Sequence, residues 1–190
     1  MRLETLRLIL RPWEDRDRAP LGKILGDPEV RRFYPTMLTP DQTSAQIDAS
    51  IALAAENAFH FQAAELRDTG ELAGVVGLGM IPADTRAVLN GHPAVEIGWQ
   101  FDKRFWGQGL APEGARAWLD ACFGTLGLDE IVAFTYRHNA PGQRVMQKLG
   151  MTRDPADDFD HPKLAADHPL RPHVLYRIGR GAPQPGRQVG

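Results

Sequence analysis

The chain has a single cysteine, Cys122, in 190 residues. It has no partner for an internal disulfide and no companions for a Cys-rich zinc site, which points to a reducing compartment and to no structural metal. Cys122 lies among apolar residues at helical spacing, so core packing is its expected role. An excess of one charge is also lacking: 22 Lys and Arg against 24 Asp and Glu leave a formal net charge of −2. With no global field to hold a polyanion, nucleic acid is not an expected partner. Long apolar runs are missing as well. The longest, Leu72 to Ile81, is about half of what a bilayer needs and is interrupted by Gly74, Gly77 and Gly79, so no membrane span is expected. Arg2, Glu4, Arg7 and Arg11 break up the first leucines and leave no signal-peptide core, which makes the cytoplasm the expected location. The histidines are scattered, without a His-Glu-x-x-His string, and no metal is expected.

What is present is the composition of a globular domain, 43% hydrophobic and 24% charged, at a length that favours one core. Leu6, Leu8 and Leu10 alternate with Arg7, Ile9 and Arg11, predicting a first strand with one apolar face. The stretch from Asp15 to Pro35 fits two short helices, one of them started by Asp27-Pro28-Glu29. Thr39 as cap with Gln42 three residues on predicts a helix to about Asn57, with Ile47, Ile51 and Ala55 on one face. Two antiparallel strands follow, Phe59 to Ala64 and Leu72 to Ile81, turned by Asp68-Thr69-Gly70. Pro82 to Pro93 is a connection. Val95, Ile97, Trp99 and Phe101 then alternate as a strand, and from near Pro112 a helix carries Ala111, Ala115, Trp118, Leu119, Cys122 and Phe123 on one face. A strand over Ile131 to Tyr136, a short helix capped by Asn139 and stopped by Gly150, and a strand over His173 to Ile178 complete the pattern. This order predicts an α/β fold, a mixed sheet covered by helices in one domain over 1–178. Half of the final twelve residues are Gly or Pro, so 179–190 is expected to be a flexible tail.

The segment Arg104-Phe105-Trp106-Gly107-Gln108-Gly109-Leu110-Ala111 joins a strand to a helix. Its glycines allow backbone with φ above zero, and free N–H groups at the helix start can take a phosphate. On spacing alone it is either such a site or an ordinary glycine turn. A dinucleotide fingerprint would need glycine where Pro112 stands, and no Walker string occurs.

Arg104-x-x-Gly107-x-Gly109 matches the (Gln/Arg)-x-x-Gly-x-(Gly/Ala) signature of the GNAT acyltransferase superfamily. With Glu96-Ile97-Gly98-Trp99, Glu113, Asn139 through Lys148-Leu149-Gly150-Met151 and the opening Glu4-Thr5-Leu6-Arg7-Leu8, the chain resembles the branch holding the Rim-type (RimJ/RimL-like) protein N-terminal acetyltransferases, over most of 1–178. The resemblance implies acetyl-CoA as co-substrate and two parallel strands, Val95 to Phe101 and Ile131 to Tyr136, that splay to admit its pantetheine arm. It further implies that Trp99, Gln100 and Phe101 lie along that arm. Arg104, Trp106, Gly107, Gln108, Gly109, Leu110 and Ala111 would surround the pyrophosphate, and Asn139 and Arg144 would line the coenzyme. Read as residues alone, Asn139 is equally an N-cap and Arg144 a solvated helix residue.

Attack of an amine on a thioester needs a neutral amine, a proton acceptor and a way to stabilise the departing thiolate. The Rim-type branch often has a serine three residues after the asparagine, and many other GNAT enzymes have a tyrosine seven after it. Here those positions are Gly142 and Met146, neither of which donates a proton. Glu96 is the candidate base, acting through a water, with a plain solvated or salt-bridged carboxylate as the alternative. Tyr136 is the candidate acid, with packing as the alternative. The loop carrying His161-Pro162 and His168 through His173 is either a proline-stiffened surface loop or an edge of the acceptor pocket; Trp13, Phe33 and Tyr34 either line that pocket or pack in the core. The expected activity is acetyl transfer to a primary amine, a protein N-terminus or a small molecule, with Cys122 not a nucleophile. The alternatives are an acyl-CoA-binding sensor that has lost its proton donor and a nucleotide-binding α/β protein. Homodimers are common in the family.

Overall fold

A computed structural model of the chain describes residues 1–57 and 59–182. In chain order the elements are β1 (Leu3–Glu4), β2 (Leu8–Arg11), α1 (Arg18–Leu25), α2 (Pro40–Asn57), β3 (Phe61–Leu66), β4 (Leu72–Met80) and α3 (Ala83–Val88). They continue with β5 (Val95–Phe101), α4 (Leu110–Gly124), β6 (Glu130–Tyr136), α5 (Ala140–Lys148), β7 (Phe159–Asp160) and β8 (Pro172–Gly179). The eight strands form a mixed sheet, as the α/β reading requires. The chain divides into two compact units built from alternating segments: Met1–Gly79 with Gly98–Trp118, and Met80–Ile97 with the chain from Leu119 onward.

In the first unit β1 to β4 run antiparallel in order, with Leu8 opposite Leu66 and Leu10 opposite Ala64. Leu8 and Leu10 are fully buried, but Leu6 is 87% exposed. The reason is local: Thr5 N–H donates to Leu8 O at 2.9 Å, so Leu6 sits at the tip of a tight hairpin rather than on the predicted strand. Trp13, Leu21, Ile24, Leu25, Ile47 and Val75 form this unit's core. Helix α2 has the predicted capping box, with Gln42 N–H donating to Thr39 Oγ1 at 3.2 Å and Thr39 N–H to Gln42 Oε1 at 2.9 Å. Its buried face is Thr43, Ile47 and Ser50, while Ile51 is 46% exposed, so the buried stripe keeps Ile47 but runs one residue off the expected Ile47–Ile51–Ala55 stripe. No helix follows Asp27. Its side chain does accept from Glu29 N–H at 2.8 Å and its carbonyl from Arg31 N–H at 3.0 Å, and Tyr34 N–H donates to Arg31 O at 2.8 Å, but these turns do not join into a helix before Pro35. Helix α1 lies upstream of it instead. The first turns of α4 press on β2 and β4 at Gly114, where a Cβ would stand 3.2 Å from Val76 and 3.3 Å from Leu8.

In the second unit β6 and β8 pair antiparallel from Glu130↔Gly179 to Tyr136↔His173, and β7 adds Phe159↔His173. The start of β5 pairs in parallel with β6 at Glu96↔Val132. Ile81, Leu89, Val132 and Leu175 are buried together, with Phe134 and Phe159 against them. The connection 82–93 contains a helix the sequence did not announce, α3, which buries Thr85. Cys122 is buried and its thiol is pushed up to about 12 by loss of hydration, which fits packing and not nucleophilic chemistry. Strand β8 extends to Gly179, and Arg180 N–H donates to Asp129 O at 2.8 Å, so the expected tail is tied at its start. Its remainder, 183–190, lies outside the described residues.

Candidate active site

The glycine turn is built as the sequence proposes. Gly107 and Gly109 take φ of +76° and +81°, the left-handed region that side chains disfavour. Trp106 N–H returns to Lys103 O at 3.2 Å, and Glu113 N–H, the first to bond within α4, donates to Gly109 O at 3.2 Å. Between them the N–H groups of 107–111 find no backbone acceptor among the described residues. Orphan donors at a helix start, with the helix dipole behind them, form a cradle for an anion, and the space around a Cβ at Gly107 is open to 4 Å. A pyrophosphate therefore fits these residues.

Arg104 is exposed and committed elsewhere: its guanidinium meets Asp102 at 2.7 Å and Glu71 at 2.7 Å. The cation at the turn is Arg7, which sequence reasoning did not assign to the site. Its Nη1 donates to Gln108 O at 2.8 Å, and its Nη2 would stand 3.6 Å from a Cβ on Gly109. Glu113 in turn holds Arg7, accepting from Arg7 N at 2.8 Å, Arg7 Nε at 2.7 Å and Thr5 Oγ1 at 2.6 Å. The partners are more than a hundred residues apart, so no local signal could have shown this.

Gln100 accepts from Arg31 Nη1 at 3.0 Å, and Phe101 O accepts from Trp106 Nε1 at 2.8 Å. Trp99 is half-buried on the same strand, and Leu110 and Ala111 open α4, Leu110 buried. Arg32 lies 4.9 Å over Trp106, and Arg31 lies 4.0 Å over Tyr34. Trp13 is buried and donates to Phe61 O at 2.8 Å, so it is a core residue.

In the second unit Glu96 keeps some exposure, yet protein surrounds it enough that lost hydration pushes its carboxyl up to about 7, against a smaller downward pull from Lys163. It has no hydrogen-bond partner among the described residues. Asn139 is an N-cap, its Oδ1 accepting from Gly142 N–H at 3.0 Å, and its Nδ2 donates to Thr135 Oγ1 at 2.8 Å. A Cβ at Gly142 would lie 2.6 Å from that Nδ2, so the Asn139 amide fills the space that a side chain at 142 would need. Met146 is buried. Tyr136 is half-buried and edge-on to His138 at 5.2 Å between ring centroids, while Arg144 is exposed. Among the described residues no group of three His, Cys, Asp or Glu is arranged to hold a metal ion, and no helix is long and apolar enough to cross a membrane.

Residues 7–152 match the family described as Acetyltransferase (GNAT) domain. YoaA of Bacillus subtilis, described as an uncharacterized N-acetyltransferase, is 30% identical over 154 residues, 80% of this chain and 83% of the relative. The FsC-acetyl coenzyme A-N(2)-transacetylase of Aspergillus fumigatus is 30% identical over 152 residues, 79% of this chain and 64% of that protein. Among solved structures, a GNAT-family acetyltransferase from Bacillus anthracis superposes with a TM-score of 0.77 at 23% identity, covering 95% of this chain and 99% of the other. Mycobacterium smegmatis RimJ in complex with CoA-disulfide gives 0.74 at 21% identity, covering 94% and 87%. These two likenesses are of fold. The chain belongs to the GNAT acetyltransferase family. It is an acetyl-CoA-dependent acyltransferase, as the turn and the ordered motifs implied.

Proposed function

We propose that the protein moves an acetyl group from acetyl-CoA to a primary amine by direct attack, as an N-acetyltransferase allied to the Rim-type branch, with a protein N-terminus or a small amine as acceptor. The observation that carries the amine reading is Glu96, a carboxyl on β5 that burial pushes up to about 7 and that no hydrogen bond among the described residues engages. The domain expected over 1–178 carries this activity.

Acetyl-CoA supplies the thioester-bound acetyl group. The N–H groups of 107–111 bind the pyrophosphate, while Arg7 braces the turn through the Gln108 carbonyl. Trp99, Gln100 and Phe101 are the residues for the pantetheine arm, and Asn139 and Arg144 belong to the coenzyme-lining set. Glu96 takes the proton of the incoming ammonium through a water, leaving the neutral amine that attack requires; a carboxyl near 7 suits that task at neutral pH. Because Gly142 and Met146 have no acidic proton, the leaving sulfur receives its proton from the Tyr136 hydroxyl or from water.

Calorimetric titration with acetyl-CoA, with ATP and NAD as controls, followed by thiol release across peptides and small amines, tests the reading. Binding of acetyl-CoA alone, with release for one acceptor class, is expected. Binding without release for any amine points instead to the sensor.

A further inference from the structure

Two imidazoles meet in the second unit. The rings of His161 and His173 lie 5.0 Å apart between centroids, and Phe134 and Phe159 lie against both at 5.6 to 6.3 Å. Pairing of β7 with β8 creates the arrangement, setting Phe159 opposite His173. Phe134 follows Val132 by two residues on β6, so it shares the sheet face of Val132 and its parallel partner Glu96.

The hydrogen bonds fix a different tautomer on each ring. His173 Nδ1 lies 3.0 Å from Arg171 O, and since a carbonyl only accepts, Nδ1 carries the hydrogen. Burial lowers the ring to about 4, so at neutral pH it is uncharged and Nε2 is a bare lone pair. His161 is the reverse: its Nδ1 accepts from Lys163 N–H at 3.3 Å, and burial together with the Lys163 charge lowers the ring's pKa, so its hydrogen sits on Nε2. Lys163, Asp84 and Asp160 are the charged groups acting on the pair, with Lys163 4.0 Å from Asp84. Neither Nε2 has a partner among the described residues. His173 is more than nine-tenths buried, so its Nε2 is an unpaired acceptor inside the protein. Such a group demands a ligand or a water.

We propose that His161 and His173 form the acceptor subsite, a donor–acceptor pair that binds an uncharged carboxamide of the amine substrate over a floor of Phe134 and Phe159. This rests on the amine-transfer reading above. A carboxamide offers a carbonyl to the His161 Nε2–H and an N–H to the His173 lone pair. A carboxylate satisfies the first and opposes the second; an additional ammonium satisfies the second and meets the first together with Lys163. The apolar floor takes the hydrocarbon body next to that group. His161 and His173 thereby set specificity, and Lys163 links them to Glu96, since its charge acts on both Glu96 and His161.

The test compares thiol release with phenylalaninamide, phenylalanine, phenethylamine and spermidine. The amide is expected to lead each of the others by about tenfold or more in kcat/KM, a hydrogen bond's worth of discrimination. In His161→Phe the ratio of amide to phenethylamine is expected to fall to near unity. A ratio unchanged from the parent, or a lead for phenylalanine or spermidine, overturns the subsite while leaving acyl transfer standing. Release with none of the amines overturns the transfer reading and the subsite with it. A tripeptide beginning with phenylalanine separates the two sources of the carboxamide: a further gain assigns a peptide, and equality a small molecule. Nitrogen NMR of the parent protein gives a readout independent of turnover and of any variant's folding. Opposite tautomers, with the Nε2 signals moved by phenylalaninamide, are expected; the same tautomer on both rings overturns the proposal.

Discussion

Glu96 owes its value near 7 to burial, so its charge at neutral pH is poised and not fixed. As the base, it predicts a kcat/KM that rises with pH through about 7, and Glu96→Gln is expected to lose that limb while keeping coenzyme affinity. A pH–rate profile checks both, and a variant with the parental profile removes Glu96 from the base role. Gly109 makes a different demand. At φ +81° a β-branched side chain is strained whatever the space, and the turn must shift to relieve it. Gly109→Val is therefore expected to raise the Kd for acetyl-CoA by about tenfold or more while thermal unfolding stays cooperative; an unchanged Kd displaces the coenzyme from this turn.

The N-terminal hairpin and α4 are joined through one carboxylate. Glu113 accepts from Thr5, from the Arg7 backbone and from the Arg7 guanidinium, and Arg7 reaches on to Gln108. Glu113→Ala removes the acceptor shared by Thr5 and Arg7 and is expected to lower stability by about 1 kcal/mol, read by urea unfolding, and to weaken coenzyme binding as the turn loses its brace. Local signals made much of the architecture legible: β5 has the bounds its alternation gives, and the Thr39 and Asn139 caps are where their residues put them. The misses share a physical cause. Helix α3 spans six residues, too few for a period to show between Pro82 and Pro93. Leu6 follows the alternation of a strand but belongs to a turn closed by Thr5. The left-handed glycines of the turn and the Asn139 cap were readable from residue type and spacing. Arg7 with Glu113, and the ring contact of His161 with His173, were not, because strand pairing and packing bring them together.

At the scale of the whole molecule, Glu96 and His173 set opposite slopes of stability with pH. The folded state binds the Glu96 proton more tightly than an unfolded carboxyl near 4.5 does, so this group's contribution to stability falls as pH rises from about 4.5 to 7. His173 is near 4 in the folded state against 6.5 unfolded, so its contribution is lost as pH falls from about 6.5 to 4. In the shared window, about 4.5 to 6.5, the slopes oppose each other and these two groups leave stability nearly flat. Glu96→Gln is expected to unmask the histidine slope and lose stability on acidification; urea midpoints at pH 4.5, 5.5 and 6.5 show it, and parallel profiles for parent and variant contradict it. The Arg7 brace has a reciprocal side. Whatever docks the hairpin favours the turn that receives the pyrophosphate, so by linkage the coenzyme must favour the docked hairpin to the same degree. Saturating acetyl-CoA is thus expected to slow tryptic cleavage after Arg7, turning the first residues of the chain into a gauge of whether the active site is filled.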